Sequence, residues 1–113
     1  MKKIFQFVVA LFTMQNVSKD ETDMKSLQKA AECGNAAAQT TLATRYYITR
    51  DFFEAAKWFK RAAEQGYALA QNNLAYCYEK GEGVSRDLME AAKWYKKAAA
   101  QGDLEAVKKL SFI

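Results

Sequence analysis

The chain has 113 residues, half of them apolar, with no proline, no histidine and a formal net charge of +4. That length suits one domain, and the missing histidine removes the commonest general base and the commonest transition-metal ligand together. The basic excess is mild and comes without the aromatic-plus-arginine clusters of single-strand binders, so nucleic acid is not an expected partner.

Residues 1–18 differ from the rest. Lys2 and Lys3 precede Ile4-Phe5-Gln6-Phe7-Val8-Val9-Ala10-Leu11-Phe12-Thr13-Met14. This run is too short for a helix to cross a bilayer core, which takes about 20 residues. A basic start and a short apolar run fit a signal peptide, although Gln6 interrupts the run and Asn16-Val17-Ser18 is a poor cleavage signal. The competing reading is an N-terminal apolar helix lying on the domain. Phe5, Val8, Val9 and Phe12 would share one face, with Gln6, Ala10 and Thr13 opposite. The first reading sends the protein to the periplasm or outside the cell; the second leaves it cytoplasmic.

From about Asp20 the pattern is helical, and alanine-rich sequence without proline supports it. A first helix over 22–33 ends in Ala30-Ala31-Glu32-Cys33-Gly34. A second, over 36–49, carries Ala38, Gln39, Leu42, Ala43 and Tyr46. Then comes Ala55-Ala56-Lys57-Trp58-Phe59-Lys60-Arg61-Ala62-Ala63-Glu64-Gln65-Gly66, whose end matches that of the first helix. The segment 68–80 repeats the second helix 32 positions on as Ala70, Gln71, Leu74, Ala75 and Tyr78. Leu74 lies between Ala70 and Tyr78 at steps of four, one apolar stripe. After the turn Gly81-Glu82-Gly83-Val84 the doubled stretch returns as Ala91-Ala92-Lys93-Trp94-Tyr95-Lys96-Lys97-Ala98-Ala99-Ala100-Gln101-Gly102, identical at nine of twelve positions. A segment over 104–112 starts the pattern once more with Ala106 and Leu110.

Self-similarity at this period predicts an all-α array of stacked units. The units run over 36–67 and 68–103, with half units over 22–35 and 104–113, inside a repeat domain over 19–113. Asp51 and Asp87 each precede an apolar helix and have Glu54 and Glu90 three residues on, the pattern of an N-cap with a capping box. Gly34, Gly66 and Gly102 stand where a left-handed residue ends a helix. The alanine pairs let helices approach, and Trp58 and Trp94 fill the space between them.

These units resemble Sel1-like repeats, relatives of the tetratricopeptide repeat. The resemblance rests on Ala70-Gln71-x-x-Leu74-Ala75-x-x-Tyr78, Gly81-x-Gly83-Val84, Asp87, and Ala91-Ala92-x-Trp94-Tyr95-x-x-Ala98-Ala99-x-x-Gly102. It implies a right-handed α-solenoid of antiparallel helix pairs and a role in protein–protein interaction, and bacterial members are often exported.

Chemistry is weakly signalled. Ser26-Leu27-Gln28-Lys29 has S-x-x-K spacing, but the companion motifs of penicillin-interacting hydrolases are missing. Cys33 and Cys77 fit no zinc pattern and read as two buried or half-buried thiols, with a single disulfide as the alternative. No enzyme activity, cofactor or metal is expected. Lys57, Lys60 and Arg61 recur as Lys93, Lys96 and Lys97, an outer basic row that Lys108 and Lys109 extend.

The inner face is the better candidate. Thr40, Thr41, Thr44 and Arg45 in one unit correspond to Asn72, Asn73, Tyr76 and Cys77 in the next. Of these, Thr41, Thr44, Arg45, Asn72, Asn73 and Tyr76 are the expected contacts to a protein or peptide partner. A second expectation is a structural module that associates weakly with itself through the array ends.

Overall fold

The structure is a computed structural model that describes residues 24–112. The leader and packed-helix readings of residues 1–18 lie outside the described residues. Within them all regular structure is helical. Helix α1 occupies residues 24–32. It is followed by α2 (Ala36–Ile48), α3 (Phe52–Glu64), α4 (Ala68–Lys80), α5 (Leu88–Ala100) and α6 (Leu104–Leu110). Helix α2 packs on α3 and α4 on α5, while α3 with α4 and α5 with α6 join one hairpin to the next.

The stacking follows from the apolar stripes. A single hairpin is too small to bury its own apolar face, so neighbours must cover it. Leu42, Ala43, Leu74 and Ala75 are wholly buried, as are Ala55, Ala62, Ala91 and Ala98. One cluster runs without a break from Ala31 to Ala106. Small alanine side chains bring helix axes together and leave niches for large ones. Trp58 and Trp94 belong to the same core, at 5% and 7% exposure. Their surroundings match: Arg61 lies 4.7 Å from the Trp58 ring centroid, and Lys97 lies 4.6 Å from that of Trp94. Lys57 and Lys93 each stand 5.6 Å from the same rings. Much of the basic row therefore covers indole rather than standing free, and each contact contributes roughly 0.5–1 kcal/mol.

The helix ends follow local chemistry. Asp51 accepts the Glu54 amide at 3.3 Å, and Asp87 accepts the Met89 and Glu90 amides at 3.0 and 3.1 Å. Asn35 and Asp103 cap α2 and α6 in the same way. The reciprocal half of the capping box is replaced. The Asp51 amide donates to the Tyr46 carbonyl and the Asp87 amide to the Tyr78 carbonyl, both at 2.9 Å. Glu54 and Glu90 turn instead to Lys57 and Lys93, at 3.3 and 3.9 Å.

Those two amide–carbonyl bonds show how the units differ. The same bond spans five residues in the first hairpin and nine in the second, so four extra residues leave the main chain as a loop. Gly81 ends α4 in the left-handed conformation at φ 72°. Gly83 (φ 77°) lies against α3, where an added Cβ would stand 2.0 Å from the Phe52 carbonyl oxygen. In the shorter connection Arg50 takes the left-handed position at φ 66°, which side chains other than glycine rarely adopt.

Candidate functional site: a groove along the first helices

Residues of α2, α4 and α6 border one groove of about 400 Å3. Thr44 and Tyr47 come from α2, Asn73 and Tyr76 from α4, and Glu105 from α6, with the Phe59 ring as a buried floor. The helical period places the residues of each pair three apart, on one face.

Tyrosines build the walls. The Tyr47 and Tyr76 rings meet edge-on with centroids 6.5 Å apart, and Phe52 packs against Tyr47 at 5.0 Å. The Tyr47 hydroxyl donates to Glu82 Oε1 at 2.9 Å, which ties the two-glycine turn to the preceding hairpin. Burial, and then that carboxylate, hold the Tyr47 phenol well above its ordinary pKa. Tyr95 donates to Glu79 Oε1 at 2.8 Å, and burial followed by Glu79 raises it likewise. Both phenols stay neutral donors at physiological pH. Lys80 and Lys109 lie 5.7 and 5.2 Å from the Tyr76 centroid. Lys109 also approaches Glu79 at 4.0 Å. It therefore stands by the groove and does not extend the outer basic row, because α6 is a first helix and not a second one.

Three of the six expected contact residues, Thr44, Asn73 and Tyr76, line this groove. Thr41 and Arg45 are exposed on α2 but do not line it. The Thr41 and Thr44 hydroxyls donate to the carbonyls of Ala37 and Thr40, so they offer a ligand only acceptor lone pairs. Asn72 is a correction: it is only 8% exposed, on the helix face it shares with Ala68 and buried Ala75. Its equivalent Thr40 is buried for the same reason. Cys77, also placed on the inner face by the repeat pattern, is core.

The two cysteines are free, and Cys33 is exposed rather than half-buried. Burial, and then the Glu82 charge, push the Cys77 thiol up to about 12. At pH 8 the buried Cys77 therefore stays a thiol, and the thiolate is the nucleophile. A native chain treated with a maleimide at that pH should therefore take up one label, at Cys33, and the second only after denaturation. Peptide mapping of the labelled protein checks this. Ser26 and Lys29 are both exposed on the surface of α1. Among the described residues no cluster of His, Cys, Asp and Glu is arranged to hold a metal ion.

Four glutamines that recur with the repeats have a role that the sequence pattern did not assign. Gln39 donates to the Ala31 carbonyl at 3.0 Å and accepts from Gln65 at 2.9 Å. One unit on, Gln71 donates to the Ala63 carbonyl at 3.2 Å and accepts from Gln101 at 2.9 Å. Each amide thus ties a first helix to the second helix before it and the second helix after it. A polar residue repeated inside an apolar stripe was the available signal, since buried polar groups need partners.

A stack of two-helix hairpins with one shared core and a groove along its first helices defines an α-solenoid repeat protein. The chain belongs to the Sel1 repeat family, whose pattern matches residues 27–35, 41–67 and 68–103. A Sel1 repeat protein from Oxalobacter formigenes superposes with a TM-score of 0.80 at 40% identity, over 83% of this chain and 74% of that one. A protective antigen of uropathogenic Escherichia coli with an SLR fold gives 0.73 at 43% identity, over 77% of this chain and 20% of the antigen. Cysteine-rich protein B of Helicobacter pylori shares the fold, with a TM-score of 0.76 at 23% identity over 80% of this chain and 71% of that one. Among curated proteins, the rat DAP3-binding cell death enhancer 1 is 38% identical over 63 residues, which make up 56% of this chain and 12% of that protein. The chain thus spans about an eighth of that relative. Sel1 repeats generally serve as non-catalytic scaffolds for protein–protein interaction.

Proposed function

We propose that this chain is a non-enzymatic adaptor that holds an extended peptide segment of a partner protein in the groove between α2, α4 and α6. The observation behind this reading is the composition of the groove. Two tyrosines and a buried phenylalanine give an apolar slot, and polar groups stand at its rim. Tyrosine offers large contact area at low entropic cost and is enriched among the residues that dominate binding energy. Among the described residues no partner holds the Asn73 amide, which leaves its donors and acceptor for a peptide backbone.

Tyr76→Ala and Asn73→Ala should each weaken partner capture at least tenfold while leaving the melting temperature nearly unchanged. Capture measured by quantitative pull-down from the source cells, beside thermal unfolding, checks this. A collapse of stability in either variant would mark these residues as core and remove the site.

A further inference from the structure

The two ends of the described array are complementary halves of one repeat. Helix α1 has the sequence of a second helix: Leu27, Ala30, Ala31 and Cys33 correspond to Phe59, Ala62, Ala63 and Gln65. Helix α6 is a first helix: Ala106, Val107, Leu110 and Ser111 correspond to Ala70, Gln71, Leu74 and Ala75. Inside the array both faces of such helices are covered. On α6 only one is. Ala106 is wholly buried against the array, as Ala70 is. Leu110 is half-buried and Ser111 exposed, where Leu74 and Ala75 are wholly buried. Val107 is 48% exposed, where Gln71 is 4%. On α1, Leu27 and Ala30 are half-buried, where Phe59 and Ala62 are not exposed beyond 3%.

The glutamine pairs say what fits these faces. In both complete hairpins the first helix supplies Gln39 or Gln71 and the second answers with Gln65 or Gln101. At the two ends of the described array both members change together. The first-helix position is Val107 and the second-helix position is Cys33. A buried first-helix glutamine, like Gln39 or Gln71 at 4% exposure, facing cysteine would leave its amide oxygen without that partner, at a cost of about 1–3 kcal/mol. Valine facing cysteine leaves none, since a thiol packs as a small hydrophobe.

We propose that α6 of one copy pairs with α1 of a second copy to form a composite repeat, with Val107 seated against Cys33 of the next copy. The contact is heterologous: each copy uses one end to receive and the other to insert. Such a contact propagates into a chain of copies and does not close at two. It involves neither Tyr76 nor Asn73 and stands apart from the groove.

Sedimentation of the full chain from low to high micromolar concentration tests it. The average mass should rise past that of two copies without a plateau, and Val107→Glu should move the transition to at least tenfold higher concentration with no change in melting temperature. Val107→Cys treated with a short bismaleimide should give a ladder of linked copies, and Cys33→Ser in that background should abolish the ladder, because Cys77 is buried. A strict monomer at the highest concentration overturns the proposal, whether α6 is bare or covered by residues 4–14 of its own chain. A mass that stops at two copies, or a ladder that survives loss of Cys33, overturns it as well.

Discussion

Gly83→Ala is expected to destabilise the protein by roughly 2–5 kcal/mol, from left-handed strain and forced displacement together. The new methyl carbon would stand 2.0 Å from the Phe52 carbonyl oxygen and 2.9 Å from the Ala56 side chain. Both neighbours belong to α3, so neither can swing aside as a flexible side chain would. The turn must lift off the preceding hairpin, and Glu82 then loses its bond from Tyr47. Gly66→Ala is the matched control. It has a similar positive φ of 91° but nothing within 4 Å of the added carbon, so only backbone strain of about 1–2 kcal/mol applies. Urea unfolding of the two variants beside the parent gives the comparison. Equal losses would show that the turn is not held against α3.

Trp94→Ala should cost roughly 3–5 kcal/mol, the range for removing a large buried aromatic and leaving a cavity. The indole is only 7% exposed and belongs to the shared core, so its removal leaves a void inside the stack. The loss would spread to both neighbours, because stability in a stacked array is carried by contacts between adjacent helices. Trp94→Phe keeps part of the volume and should cost less than half as much. Denaturation midpoints of the three proteins, with far-ultraviolet circular dichroism for helix content, decide it. A loss below about 1 kcal/mol for the alanine variant would mean that Trp94 is surface, not core.

Much of this architecture was legible because it is written twice. The recurrence of Ala, Leu and Tyr at steps of four gave the buried stripe on α2 and α4. The doubled tryptophan stretch gave α3 and α5, and the capping aspartates gave their starts. The contact face was less legible, because helical period alone does not say how wide the buried stripe is. Position 40 and its equivalent 72 lie just beside the stripe, and neighbouring helices cover them. Polar residues there looked free for a partner although they are buried. The tie between Tyr47 and Glu82 could not be read either: 35 residues separate them, and the turn that carries Glu82 occurs in only one of the two units.

The amide–carbonyl bond that closes each hairpin, from Asp51 to Tyr46 and from Asp87 to Tyr78, is the same across a short connection and a long one. The two units differ in length by four residues at that point while both keep the same closing bond. The two connections, short around Arg50 and long around Gly83, are thus alternative closures of one hairpin frame.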